Sequence, residues 1–316
     1  MPRRLQSNGK FKGEIHCAVP MSEYTSFHVG GRVDYLAFPK DLQDLQRVLR
    51  VCTEEGVPYF VLGNGTNLLV RDGGIRGLAI SLAKGFCRVK VLEEGPEESL
   101  IFAEAGAPLK KLLDLAQKKG LSGLEWAAGI PGTVGGALSM NAGAFQGEMK
   151  DRLESVLLVD GEGNVKEEGK GELSFSYRTV NLPAGEIILG GKFRLPAGNP
   201  ELIDSRMKEI LRQRQAKQPL NYPSAGSVFK NPSQGSAGRL IEEAGLKGTS
   251  IGNAQVSEKH ANFIINRGHG TAREILTLVE SVRAKVFQKT GVWLEMEIRV
   301  MGEDEKIARD GSRNGE

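Results

Sequence analysis

The chain has 316 residues, 40% hydrophobic and 26% charged, with a formal net charge of +3; it is an ordinary globular composition, long enough for a sizeable core and two or three domains. That charge is too small to argue for nucleic acid, and no Arg/Lys cluster interleaves with aromatics, although it suits an anionic small substrate. Cys17, Cys52 and Cys87 are too scattered for a disulfide framework or a thiolate metal site and point to a reducing, cytoplasmic compartment. Arg3 and Arg4 have no apolar export stretch behind them, and no run is long enough to span a membrane.

Residues 41–56 place Leu42, Leu45, Val48, Leu49 and Cys52 at helical spacing and end on Gly56; Pro58 then leads into a strand over 59–62. Short strands follow at 68–70, 77–82 and 89–93. Pro108 opens a second helix carrying Leu109, Leu112, Leu113 and Ala116, which Gly120 stops. After a glycine-rich stretch the pattern turns to β: a hairpin of 155–160 and 164–167 around Gly161 and Gly163, then a strand over 186–195. The first 196 residues read as an α+β unit. A charged helix over 201–218, with Ile203, Met207, Ile210 and Leu211 on one side, connects to a second domain. There a Pro/Ser/Gly-rich loop (219–238) precedes a short helix at 240–244, a strand at 262–266, a helix over 271–289 built on Ile275, Leu278, Val279, Val282 and Val286, and a last strand over 292–300. The charged tail after Gly302 is expected to be disordered.

The densest signal is the run of small residues from Gly129 to Ala144, with Gly129, Gly132, Thr133, Gly135 and Gly136 at its start. Glycine loses entropy on folding and packs nothing, so such a run calls for close approach of backbone to a ligand, with amides facing a phosphate-bearing cofactor. Gly63, Asn64, Gly65, Thr66 and Asn67 form a second segment of this kind after the apolar run 59–62. The plainer reading is a pair of tight turns. Neither segment has the Gly-x-Gly-x-x-Gly of a dinucleotide fold or the Gly-Lys-Ser/Thr ending of a P-loop, so a bound nucleotide would need another fold.

Three side chains could carry chemistry. Ser227 follows Gly226 in a loop, where it is either a turn residue or a proton donor. Arg178 closes the short β segment 174–178, as a surface cation or a bidentate carboxylate holder. Glu297 belongs to the charged face of the last strand, where Val292, Leu294, Met296, Ile298 and Val300 alternate with Trp293, Glu295, Glu297 and Arg299; alone, that is a solvated edge. No Gly-x-Ser-x-Gly or His-Glu-x-x-His occurs. His16, His28, His260 and His269 are not paired at ligand spacing, so no metal site is expected. A redox cofactor would need only orientation, charge stabilisation and one proton donor, which these residues supply.

Taken in order, Gly30-Gly31, Gly63-Asn64-Gly65-Thr66-Asn67, Gly129-Ile130-Pro131-Gly132, Asn141-Ala142-Gly143-Ala144, Ser176-Tyr177-Arg178, Ala225-Gly226-Ser227-Val228-Phe229-Lys230-Asn231 and Glu297-Ile298-Arg299-Val300 resemble the UDP-N-acetylenolpyruvoylglucosamine reductase (MurB) flavoenzymes over residues 20–302. The resemblance implies the α+β FAD-binding fold of the vanillyl-alcohol oxidase/p-cresol methylhydroxylase type. Its domains would be an N-terminal extension (1–20), a two-subdomain FAD domain (21–196), a C-terminal α+β substrate-binding domain (197–302) whose final strand returns to the active site, and the tail (303–316). It implies a monomer with noncovalent FAD, NADPH as hydride donor and a nucleotide-sugar substrate, acting in peptidoglycan precursor synthesis. By resemblance Ser227 is the proton donor, Arg178 the arginine at the enolpyruvyl carboxylate and Glu297 the active-site acid. Tyr177, Lys217, Asn231, Lys247 and Gln255 face the substrate, and the two glycine segments cradle the flavin diphosphate. The short stretch between Arg178 and Pro196 implies the subclass without the extra tyrosine loop. Chemically, His28 or Cys87 could instead attach a flavin covalently, as in a related oxidase.

Overall fold

The computed structural model describes residues 11–183 and 185–305; the first ten residues of the expected extension and the tail from 306 lie outside them. The first half contains β1 (Glu14–Pro20), β2 (Arg32–Phe38), α1 (Leu42–Glu55), β3 (Tyr59–Leu62), β4 (Leu68–Val70), β5 (Ile75–Ser81), β6 (Val89–Glu94), β7 (Glu98–Glu104), α2 (Leu109–Lys118) and α3 (Val134–Ser139). Then come β8 (Gly143–Ala144), β9 (Gly147–Glu148), β10 (Leu153–Val159), β11 (Val165–Gly169), β12 (Ser174–Ser176), β13 (Thr179–Asn181) and β14 (Ile187–Pro196). The C-terminal part has α4 (Pro200–Lys217), α5 (Ala237–Glu243), β15 (Ser250–Ile251), β16 (Ala254–Val256), β17 (Ile264–Asn266), α6 (Ala272–Thr290) and β18 (Arg299–Met301). The expected α+β architecture is the one observed.

The helices form where local chemistry favours them. The Asp41 carboxylate accepts the Asp44 amide to start α1, and Gly56 ends it at φ 63°. Thr271 and Glu274 build a reciprocal cap on α6, and the Asp72 carboxylate, from the turn after β4, accepts the amides of Ala272 and Arg273 at 2.9 Å.

One sheet runs β1-β2-β5-β3, and a second, antiparallel, runs β11-β10-β14-β7-β6. Residues 14–20, assigned from sequence to an extension, pair with β2. Neither β2 nor β7 was anticipated. Leu36, Ala37 and Phe38 are buried in succession, as are Leu100 and Ile101, so these strands lack the alternation that marks a half-exposed strand. The main core gathers α1 and α2 with Ala37, Leu78 and Ile80 of the first sheet and with β7, β10 and β14 of the second. A separate C-terminal core surrounds α6, and it takes in Phe27, Val29 and Leu69 from the N-terminal part of the chain.

The expected last strand is mostly not laddered. Among the described residues, the backbone of 292–298 pairs with other backbone only at Phe229–Met296 and its flanking bonds, Lys230 N–H to Glu295 O (2.9 Å) and Glu297 N–H to Val228 O (2.8 Å). Only β18 of that stretch is regular, and it lies parallel to β4 in the N-terminal part of the chain. The short helix α5 starts three residues early, at Ala237, where the Ser236 hydroxyl caps it.

Asp72 links the two parts of the molecule through a helix cap, so Asp72→Ala should lower unfolding free energy by about 1 kcal/mol. Denaturant titration would read this as an earlier midpoint at unchanged slope; an unmoved midpoint would show the cap to be redundant with Thr271.

Candidate active site

A cleft of about 930 Å³ runs between the glycine segments, the 218–227 loop and the end of the chain. All three expected catalytic residues line it, as do Gly63, Asn64, Gly65, Thr66, Asn67, Gly129, Gly132, Thr133, Gly135 and Gly136.

The glycines do two different jobs there. A Cβ on Gly65 (φ 61°) would meet Tyr24 O at 2.0 Å, and one on Gly135 would meet Ala105 Cβ at 2.8 Å. These two are small because protein packs against them, which is the plain turn-and-packing reading. A Cβ on Gly63, Gly132 or Gly136 would meet only a threonine hydroxyl, at 3.0, 3.4 and 3.3 Å, and otherwise project into open space. The amides divide the same way. Val134 N–H donates to Ala107 O, Gly135 N–H to Ala105 O and Gly136 N–H to Thr133 Oγ1. Among the described residues, the amides of Gly63 to Thr66 and of Gly132 and Thr133 have no such acceptor. Thr66 Oγ1 donates to Pro131 O and ties the two segments together. Free amides beside bare glycine make an anion cradle that fits a diphosphate.

In the same cleft, Arg178 Nε donates to Glu297 Oε1 at 2.9 Å, the two side chains being 18% and 12% exposed. Arg178 occupies the second position of the two-residue turn joining β12 to β13, at φ 61°, a conformation that disfavours any residue with a Cβ. Glu297 is held from behind: Asn67 Nδ2 donates to its carbonyl (3.0 Å), and Arg299 N–H donates to Asn67 O (2.9 Å). Its carboxyl, read alone from sequence as a solvated face, turns into the cleft. Burial raises its pKa above the ordinary value, against the opposing pull of Arg178 and Lys230. The Ser227 hydroxyl has no hydrogen-bond partner among the described residues, and Gly226 beside it, at φ 74°, has nothing within 4 Å of a built Cβ.

A smaller annex of about 440 Å³ opens beside Arg178 and is lined by Tyr177, Asn231, Lys150 and the β8–β9 hairpin. Tyr177 and Asn231 therefore meet at the site, with the Asn231 amide 3.5 Å from the tyrosine hydroxyl. Three of the expected substrate residues line neither cavity: Lys217 is exposed at the end of α4, Lys247 pairs with Glu242, and Gln255 donates to Gly248 O. His28 and Cys87 are also absent from the lining. The reading of α4 needs correction. Leu211, expected on the packed side, is 47% exposed, whereas Arg214 is buried and reaches the cleft. The signal was an arginine continuing the Ile203, Met207, Ile210 stripe.

Two outcomes follow from this geometry. Gly135→Ala should lower stability by roughly 1–3 kcal/mol through overpacking on Ala105, measurable without any ligand; unchanged unfolding would mean that β7 yields. For Glu297 the folded pKa is raised, so its contribution to stability is complete below the ordinary carboxylate range and is lost as pH rises through the folded value. Glu297→Gln lacks that loss. The stability of the variant relative to the parent should therefore increase from roughly pH 4 upward and then level off, and a flat difference in unfolding experiments across that range would contradict it.

Residues 33–169 match the sequence model of an FAD binding domain, and residues 218–301 match that of the UDP-N-acetylenolpyruvoylglucosamine reductase C-terminal domain. The UDP-N-acetylenolpyruvoylglucosamine reductase of Clostridium novyi is 45% identical over 294 residues, 93% of this chain and 94% of that one. The Geobacter metallireducens enzyme of the same name is 45% identical over 93% of this chain and 96% of its own length. The crystal structure of the Thermus caldophilus reductase (MurB) superposes with a TM-score of 0.79 at 39% identity, covering 92% of this chain and all of that one. With an amide cradle and a buried Arg–Glu pair lining one cleft, the chain belongs to the UDP-N-acetylenolpyruvoylglucosamine reductase family.

Proposed function

We propose that this chain reduces the enolpyruvyl group of UDP-N-acetylglucosamine enolpyruvate to give UDP-N-acetylmuramate, a peptidoglycan precursor, using noncovalent FAD and NADPH. The observation that carries this reading is one cleft lined both by free backbone amides and by Arg178, Glu297 and Ser227. When bound, FAD relays two electrons from the nicotinamide to the substrate double bond. The amides of Gly63 to Thr66, Gly132 and Thr133 hold its diphosphate, with Asn67 bracing the first segment against Glu297. Gly129, Gly135 and Gly136 keep the second segment close enough for this.

Reduction at C3 of the enolpyruvyl ether leaves negative charge on C2 and its carboxylate. Arg178 offers a guanidinium already oriented by Glu297 and stacked near Tyr177 (Cζ 5.0 Å from the ring centroid), so it need not reorganise as that charge develops. Glu297 does not face the charge as a bare anion, because it is bonded to Arg178, and burial pushes its carboxyl above the ordinary carboxylate pKa. Ser227 gives its hydroxyl proton to C2, forming the new C–H bond, and recovers a proton from solvent. Tyr177 and Asn231 in the annex hold the nucleotide sugar, whose diphosphate is gripped without an extra tyrosine loop. We place the reaction in a monomer in the cytoplasm, in keeping with three free cysteines.

The test is anaerobic: load the protein with FAD, reduce it with NADPH, add the enolpyruvyl substrate and follow flavin reoxidation. Reoxidation at catalytic rates is expected, and protein that cannot be loaded with FAD would end the proposal. In Ser227→Ala, reduction by NADPH should stay near the parent rate while the second half-reaction slows by about 10²–10⁴-fold. Cysteine at 227 should restore part of it. Product formed in deuterated water locates the solvent-derived hydrogen at C2, and an alanine variant turning over at the parent rate would move the proton donor elsewhere.

A further inference from the structure

Arg214 lies in the last turn of α4, and none of the steps above uses it. The residue is 9% exposed and lines the cleft. Nε donates to Ala128 O at 2.8 Å, but Nη2 is buried with no hydrogen-bond partner, and no carboxylate among the described residues pairs with the guanidinium. A buried cation with an orphaned N–H group is costly unless something absent from the bare chain completes it. The surroundings press it into place. Gly129 packs on its stem, a built Cβ lying 3.0 Å from Arg214 Cδ, and the ring of Phe145 covers it at 5.5 Å. Phe145 is at the tip of the β8–β9 hairpin, where it and Gln146 have φ of 48° and 67°, a turn that glycine or asparagine would normally fill. Asn141, fully buried at φ 41°, fixes that hairpin through Glu148 Oε2 (2.9 Å) and the Lys150 amide (3.1 Å). Burial also draws the guanidinium below its ordinary pKa.

Position narrows the partner. Arg214 touches the 128–129 backbone, at the start of the diphosphate cradle, and the hairpin whose Gly143 lies against Arg178; a built Cβ there is 3.1 Å from Arg178 Nη1. It thus stands on the wall between the cradle and the reacting end. The cradle already has its own free amides. We propose that Arg214 is the cation for the N1–C2=O edge of the flavin ring, the edge that gains negative charge when two electrons and one proton arrive from the nicotinamide donor, and that it raises the reduction potential of the bound cofactor. The inference rests on the flavoenzyme reading above. Arg214 is a permanent cation bonded to the fold, and Phe145 shields it from water, so its effect is larger on the charged, reduced flavin than on the neutral, oxidised one.

The experiment compares FAD-loaded parent, Arg214→Met, Arg214→Lys and Phe145→Ala proteins. The measurements are the two-electron midpoint potential, the affinity for sulfite, whose addition to the oxidised ring places charge on the same edge, and the Kd for oxidised FAD. Arg214→Met is expected to disfavour reduction roughly ten- to hundredfold, the span of one charge-assisted hydrogen bond; at 29.6 mV per decade for a two-electron couple that is about 30–60 mV. Sulfite affinity should fall by a similar factor while FAD affinity stays within a few-fold. Arg214→Lys should be intermediate, and Phe145→Ala, which admits water, should shift the potential in the same direction by less. If the methionine variant does not fold, the lysine and Phe145 variants still decide the matter. Unchanged potential and sulfite affinity would overturn the proposal, and so would a large loss of FAD affinity at unchanged potential, which assigns the charge to the diphosphate. Failure of the flavoenzyme reading looks different: the parent protein itself would show no flavin spectrum.

Discussion

The site depends on the chain coming back to where it began. β18 lies parallel to β4, with Arg299 opposite Leu68 across 231 positions of sequence. That pairing and the bonds between Asn67 and the 297–299 backbone set Glu297 beside Arg178. Three residues of strand are a weak tether by themselves, and a lone two-stranded pairing is marginal in water. Packing supplies the rest: Leu69 of β4 is fully buried in the C-terminal core with Val228, Phe229, Leu294 and Ile298. The acid is thus positioned by a core, and the strand sets its register.

Conformational strain gathers near the cleft. Among the described residues six non-glycine positions have positive φ, and four of them, Asn141, Phe145, Gln146 and Arg178, build or support the annex wall. At roughly 1–2 kcal/mol each, this is a sizeable fraction of a domain's net stability. It persists because the surroundings over-determine it: Asn141 is fully buried with both its amide atoms bonded, and Arg178 is anchored by Glu297. Strain of this kind, held in place by packing and polar bonds, is characteristic of binding sites.

Much of this was legible in the chain. Helices α1, α2 and α6 carry apolar stripes with stop or cap residues, and each formed within a residue or two of its expected limits. The glycine segments pointed to the cleft because bare backbone has few other uses at that density. What the pattern hid has physical reasons. β2 and β7 are covered on both faces, so period two disappears. Gly65 and Gly135 carry the same signature as Gly63 and Gly132, yet they answer to Tyr24 and Ala105, which only tertiary structure brings near. Arg214 was lost because a charged residue next to Leu211 on a polar helix is read as the solvated one, and the helix turns the other way.

Two of the arginines lining the cleft, Arg178 and Arg214, differ in one respect with consequences for the whole fold. Arg178 is neutralised by Glu297, so the reacting end is electrically complete before any ligand arrives. Arg214 has no carboxylate among the described residues, and its nearest cover is an aromatic ring on a strained hairpin. In the bare protein this end of the cleft therefore carries an uncompensated buried charge together with backbone strain, both of which weigh against the folded state. A ligand that offers the orphaned guanidinium N–H an acceptor there relieves part of that burden, and it binds only the folded chain. Linkage then stabilises the fold by about 4 kcal/mol at a ligand concentration a thousand times Kd. The same residues that ready the cleft for its cofactor therefore tie cofactor binding to the stability of the fold.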